Sequence, residues 1–157
     1  MVLEEYNKKR KFNITPEPKA KANLKSANRF VIQEHNASHL HYDFRLELPS
    51  DINSRDIVLK SWAIPKNVPR ELGVKMLAIQ TEDHPASYID FEGVIPKGEY
   101  GAGTVKTWDK GEFRLLDREK NVIHFVLKGN KFKGEYTLIK TKGFGKSQNS
   151  WLIFRVK

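Results

Sequence analysis

The chain has 157 residues, of which 28 are Lys or Arg and 19 are Asp or Glu, giving a formal net charge of +9. That length supports one domain with a full core, and the excess of cations favours a polyanionic partner, nucleic acid first. The absence of cysteine excludes disulfide frameworks, thiolate metal sites and cysteine nucleophiles.

The N-terminal MVLEEYNKKRKF has no apolar leader, and no window approaches 18 unbroken apolar residues. A cytoplasmic protein with no membrane partner is therefore expected. Residues 1–11 read as a short helix. The following NITPEPKAKANLKSAN is polar, carries two prolines and lacks an apolar period. Residues 1–28 are thus predicted to form an arm, a short helix plus an extended segment, packing on a domain of residues 29–157.

From Arg29 the pattern changes to short strand-like runs at 29–34, 40–48, 57–64, 74–81, 103–109, 112–117, 122–127, 134–141 and 150–156. Each is rich in β-branched or aromatic residues and bounded by Gly, Pro, Asn or Asp. Their close spacing predicts a mainly β fold, a single-domain antiparallel β-barrel with one or two short flanking helices. Asp109, Lys110 and Gly111 predict a tight hairpin, and Gly129, Asn130 and Gly134 another. Residues 65–72 read as a loop or one helical turn. Residues 83–103 form a Gly/Pro-rich excursion too long for a plain hairpin, and such excursions often carry function.

The stretch EHNASHLHYDFRLEL (34–48) is the most informative. His39, His41, Asp43, Arg45 and Glu47 share one strand parity; Leu40, Tyr42, Phe44, Leu46 and Leu48 share the other. A strand with one wet face is the ordinary cause of such alternation, but His and Asp are unusual choices for it. Consecutive same-face residues stand about 7 Å apart. His41 and Asp43, with His35 curling in from the preceding segment, can bind one divalent cation. Two imidazoles and a carboxylate leave open coordination positions and suit Mn²⁺ or Fe²⁺, with Zn²⁺ as an alternative. Arg45, one step further, would face an anion held by that metal, which suggests a phosphate. His39, at the start of the strand, reads equally as a surface residue.

In LKSWAIPKNVP (59–69), Lys60 shares the parity of Val58, Trp62 and Ile64; it either snorkels to water or donates to an anion in a polar cavity. His84, in EDHPASY at a strand exit, is a candidate acid, base or phosphate ligand, with Glu82 or Asp83 able to orient it. A loop histidine capped by a neighbouring acid is the plainer reading, and Tyr88 stands level with it. The glycines of GVIPKGEYGAGTV match neither phosphate-loop pattern and lead into a strand, so they read as turn or bulge residues. Trp62, Trp108 and Trp151 each sit inside a strand pattern and read as core rather than as stacking platforms.

Together, EHNASHLHYDFRLEL, LKSWAIPKNVP, EDHPASYIDFEG and IPKGEYGAGTVKTWDKGEF resemble the 3′-phosphoesterase module of bacterial DNA ligase D and its stand-alone archaeal relatives, from about Arg10 to Lys157. The resemblance implies a barrel-like fold and Mn²⁺-dependent healing of 3′ ends. A 3′-phosphate is removed, or 3′-terminal ribonucleotides are trimmed, from DNA or RNA-tailed DNA, preparing a 3′-OH for a polymerase and a ligase of non-homologous end joining. On the family's pattern His35, His41 and Asp43 match metal ligands. Arg45, Lys60 and His84 match groups around the phosphate, with Tyr88 and Gln33 in support. Arg10 and Glu17 match functional positions of the arm. Lys11 stands where an aspartate is usual and Met76 where an arginine is expected, and both departures bear on substrate preference. Two other readings compete: a non-catalytic nucleic-acid-binding barrel, and a cupin-like Fe²⁺ enzyme, which leaves the basic charge unexplained.

Overall fold

Phe30, Ile32, Phe44, Leu46 and Leu48 turn to one side of two adjacent strands and enter a common core with Trp62, Ile64, Phe125 and Leu138. A computed structural model describes residues 3–20, 26–142 and 148–157; residues 1–2 and 21–25 of the expected arm lie outside the described residues. Its elements are α1 (Glu4–Lys8), β1 (Arg29–Asn36), β2 (Leu40–Pro49), β3 (Ile57–Ile64), β4 (Met76–His84), a 3₁₀ helix (Ala86–Asp90), β5 (Gly93–Ile95), β6 (Gly103–Glu119), β7 (Val122–Gly129), β8 (Lys133–Lys140) and β9 (Ser150–Arg155).

The strands pair in the order β1-β2-β3-β4-β9-β8-β7-β6, and β6 returns to pair with β1. Every pairing is antiparallel, so eight strands close a barrel and leave no free edge in the ring. The predicted barrel is what forms. β5 adds to the outside of this ring by pairing with the first residues of β6, Thr104 and Val105, which also face β1.

One sequence expectation fails. Asp109, Lys110 and Gly111 make no hairpin; β6 runs unbroken for 17 residues. Its first half pairs with β1 and its second half with β7. Gly111 sits where the strand changes partners, and a side chain there would place Cβ 2.4 Å from the carbonyl oxygen of Lys128. Glycine serves close backbone approach here, not a turn. Asp109 instead reaches to the β7–β8 hairpin, where its carboxylate accepts from the backbone N–H of Asn130, Lys131 and Phe132 at 2.9–3.1 Å. That second hairpin was correctly predicted.

The outer face of β1 to β3 is covered rather than wet. Val31, Val58 and Leu59 pack under Leu3 and Tyr6 of the α1 segment and under Tyr88, Ile89, Phe91 and Ile95. β2 is therefore buried on both sides, including Asp43, Arg45 and Glu47. Glu47, fully buried, accepts from the backbone N–H of Ala27 and Arg29 and pairs with the Arg29 guanidinium, which fixes the entry into β1. Among the described residues, no helix is long and apolar enough to cross a membrane.

Candidate metal and phosphate site

The polar row of β2 meets its counterpart on β1 by direct cross-strand pairing: His35 opposite His41, Gln33 opposite Asp43, Val31 opposite Arg45. Opposed residues share a face. His35 thus reaches the site as the penultimate residue of β1, which runs two residues beyond the predicted strand end at 34, and not by curling in from outside the strand. The two imidazole rings lie 4.7 Å apart.

Each histidine is oriented by a backbone carbonyl. Nε2 of His35 lies 2.7 Å from the carbonyl oxygen of Gly101, and Nδ1 of His41 lies 3.1 Å from that of His39. A carbonyl oxygen only accepts, so these nitrogens carry the protons. The opposite nitrogens then aim at one carboxylate: Nδ1 of His35 is 3.1 Å from Asp43 Oδ2, and Nε2 of His41 is 3.2 Å from Asp43 Oδ1. One ligand atom from each of the three lies within 4.8 Å of the others. Burial works against charge on Asp43, yet the neighbouring Arg45 and the hydrogen bonds from His35 and His41 hold its carboxyl well below the usual carboxylate range. On His41 burial is outweighed by Asp43, which raises its pKa. An anionic carboxylate facing two imidazole nitrogens requires either protons on both rings or a cation among all three. The donors, two nitrogens and a carboxylate with backbone-oriented rings, suit a divalent cation. His39 is exposed and contributes its carbonyl only.

Beside this cluster stands Arg45, 3% exposed. Its Nε donates to Gln33 Oε1 at 2.8 Å, its Nη2 is 3.4 Å from Asp43 Oδ2, and its Nη1 is 3.2 Å from Nδ1 of His84. Gln33 is itself held by the carbonyls of Tyr88 and Phe91. His84 donates from Nδ1 to the carbonyl of Glu82 at 2.9 Å, and its Nε2 is 3.3 Å from Arg10 Nη2, which donates to it. Burial, then the two guanidiniums, push the His84 pKa well below its ordinary value. The ring is neutral at neutral pH.

The arm completes the wall. Arg10 pairs with Glu17 at 2.9 Å and with Glu82 at 3.3 Å, and Glu17 accepts from the Tyr88 hydroxyl at 2.6 Å. Tyr88 packs edge-on against His84, with ring centroids 4.6 Å apart. Burial raises the Tyr88 hydroxyl pKa, so it keeps its proton for Glu17.

His35, His41, Asp43, Arg45, His84 and Tyr88 line one cavity of about 190 Å³, with Gln33, Arg10 and Glu17 directly behind. Lys60 is not brought there. It pairs across β2 with Leu46, whereas Arg45 pairs with Ser61, so Lys60 faces the barrel interior with Leu46. Its ammonium meets Asp83 at 2.8 Å and the carbonyl of Ser50 at 2.9 Å. Asp83 and His84 thus serve opposite faces of one strand. Glu82, expected to orient His84, does so through its backbone carbonyl while its carboxylate pairs with Lys9 and Arg10. Two residues beside it escaped sequence reasoning: Lys9, at 3.2 Å from that carboxylate, and Tyr100, whose ring lies under Lys9. Tyr100 belongs to the glycine-rich excursion already flagged as functional; Lys9 carried no local signal. Met76 packs against the barrel core, and Lys11 is exposed.

A family model described as the DNA Ligase D 3′-phosphoesterase domain matches residues 33–140. The chain belongs to this family. It is 46% identical, over 99% of its length, to the Multifunctional non-homologous end joining protein LigD of Pseudomonas aeruginosa. The protein of that name from Mycobacterium bovis is likewise 46% identical over 99% of the chain, and that from Mycolicibacterium smegmatis 44% identical over 99%. The chain spans only 18–20% of the length of these relatives, so the likeness to ligase D covers one module of a larger protein. The resemblance drawn from the motifs and the family match coincide.

Proposed function

We propose that this chain is a divalent-metal-dependent phosphoesterase that removes 3′-phosphates from DNA ends, preparing them for the ligase and polymerase of end joining. The observation that carries the reading is the pair of carbonyl-oriented imidazoles aimed at the two oxygens of Asp43, with an anchored guanidinium alongside. Family membership supplies the reaction class.

His35, His41 and Asp43 would hold the cation, with Mn²⁺ the leading candidate and Zn²⁺ the alternative. A bound divalent ion supplies Lewis-acid stabilisation of phosphoryl charge and a nucleophile at neutral pH. The chain's own contribution begins with Arg45, whose fork is fixed on one side by Gln33 and so is preorganised for phosphate oxygens. Hydrolysis makes one P–O bond to water oxygen and breaks the P–O bond to the 3′-oxygen, which must leave with a proton. A phosphate dianion arriving beside Arg10 and Arg45 offsets their charge and so raises the proton affinity of His84. His84 then takes a proton from solvent at Nε2 and gives it to the departing oxygen, the attacking water releases one proton to solvent in exchange, and Nδ1 stays bound to the Glu82 carbonyl. Tyr88 and Glu17 hold that ring and Arg10 in place.

The test is a 3′-phosphorylated primer-template incubated with EDTA and then with added Mn²⁺, Zn²⁺ or Mg²⁺, with the products resolved by length and terminus. Release of phosphate with Mn²⁺ and none in EDTA is expected. Nucleic-acid binding without any product under all metals would overturn the reading in favour of a purely binding barrel.

A further inference from the structure

Thr81 and His84 both line the metal and phosphate cavity, yet residues three apart on a regular strand point to opposite faces. The register shows how both reach one side. Thr81 pairs with Ser61 and His84 with Leu59, so the single residue Lys60 of β3 stands against two residues of β4, Glu82 and Asp83. One extra residue makes a β-bulge, and it re-aims the side chains beyond it. Without it His84 would face the barrel interior.

Side chains meet the backbone on both strands of the bulge. The Ser61 hydroxyl donates to the Leu59 carbonyl at 2.9 Å, and Nδ1 of His84 donates to the Glu82 carbonyl at 2.9 Å. The bulge thereby sets which ring nitrogen of His84 carries the proton, leaving Nε2 toward Arg10. On the interior side Asp83 meets Lys60 at 2.8 Å, with the two side chains only 19% and 13% exposed. Lys60 also donates to the Ser50 carbonyl at 2.9 Å, which ties β4 to the turn after β2. Arg118, which donates to the Pro49 carbonyl at 2.8 Å, adds a second positive charge near Asp83. A carboxylate so placed, deprived of its ammonium, turns toward water or takes a proton. Either outcome releases the bulge.

We propose that Lys60 and Asp83 are positioning residues for His84: their ion pair locks the bulge from the far side of the β3–β4 wall, holding the ring on the phosphate face in the tautomer that leaves Nε2 free to move a proton. Neither residue touches the substrate. The inference rests on His84 serving the phosphoesterase reaction proposed above, but the ring geometry it asserts exists without metal or turnover.

The experiment follows the His84 ring by long-range ¹H–¹⁵N NMR in the metal-free, ¹⁵N-labelled chain at pH 7.5, assigned with His84→Asn. Wild type should show one tautomer, with the proton on Nδ1. Lys60→Met should show mixed tautomers or a second set of ring resonances, with the His35 and His41 rings unmoved. The near-isosteric Asp83→Asn carries the same comparison if Lys60→Met fails to fold. The chain has no cysteine and Lys60 lines an open cavity, so Lys60→Cys carries one reachable thiol, and alkylation with 2-bromoethylamine restores an ammonium at nearly the original reach. On a 3′-phosphorylated primer-template with Mn²⁺, the unalkylated Lys60→Cys protein should lose kcat on the order of tenfold or more at nearly unchanged KM. The alkylated protein should recover most of that rate together with the single tautomer. A wild-type-like His84 ring in Lys60→Met, or a loss of turnover that the restored ammonium leaves in place, would overturn the proposal. A Lys60-dependent ring in a protein that releases no phosphate under any metal would count against the catalytic reading and leave this one standing.

Discussion

The Nε2–H of His35 donates to the carbonyl oxygen of Gly101 at 2.7 Å, joining the end of β1 to the loop that precedes β6. Gly101 adopts φ +75°, and a Cβ there would lie 3.4 Å from His35 Cε1. Gly101→Ala should therefore cost about 1 kcal/mol in backbone strain and tilt the imidazole. Altered orientation of a ligating histidine commonly weakens metal binding by about tenfold or more. Calorimetric titration of Mn²⁺ into wild type and variant checks this; equal affinities would show that the carbonyl does not orient the ring for a cation.

Asp43 faces both imidazoles and Arg45. Asp43→Asn removes the negative charge while nearly preserving shape, and His41→Ala removes one nitrogen donor. Each should lower the rate on a 3′-phosphorylated primer-template by on the order of a hundredfold and lower Mn²⁺ affinity, with the far-ultraviolet circular dichroism of the barrel unchanged. Full turnover in either variant would dissociate the cluster from catalysis.

The depressed His84 pKa fixes the sign of one pH effect. An unfolded histidine takes up its proton near pH 6.5, while the folded ring, buried between two guanidiniums, resists until lower pH. Below about pH 6.5 the unfolded state therefore binds more protons, and stability falls as pH drops toward the folded-state value. Chemical unfolding of the metal-free protein at pH 7.5 and pH 5.0 should show a smaller loss for His84→Asn than for wild type. Identical losses would place the acid sensitivity elsewhere.

Asp109 holds three backbone N–H groups of the β7–β8 hairpin, at 2.9–3.1 Å. Asp109→Ala orphans them, at a cost of about 3 kcal/mol, or about 10 °C in Tm for a chain of this size. The Mn²⁺ affinity of the surviving folded protein should be unchanged, because Asp109 pairs with Ile32 on the core side of β1 and reaches to the β7–β8 hairpin, away from the face that carries His35. Scanning calorimetry and metal titration separate the two effects.

The barrel was legible because Phe44, Leu46 and Leu48 alternate with polar residues at strand period, and the same period placed His41, Asp43 and Arg45 on one face. The His35, His41 and Asp43 cluster was legible because its members are close in sequence. Lys60 shows the limit of analogy: its own parity with Trp62 and Ile64 already pointed inward, and the cross-strand register with Leu46 settles the direction. The unbroken β6 was not legible, because Asp-Lys-Gly has turn composition and only the approach of Lys128 reveals why glycine is needed there. Lys9, Arg10 and Glu82 meet across more than 70 residues, a distance over which local pattern carries no signal. The burial of the polar face of β2 likewise depends on the arm and on residues 88–95, which no strand-level reasoning supplies.

His35, His41 and Asp43 all belong to a single two-stranded ribbon, the first and last separated by eight positions in sequence. The groups that would grip the phosphate come from that ribbon, from β4 and from the arm, between Arg10 and His84. Three potential cation ligands thus sit on one hairpin, whereas the phosphate-gripping set is assembled only when β4 docks beside β3 and the arm folds over it.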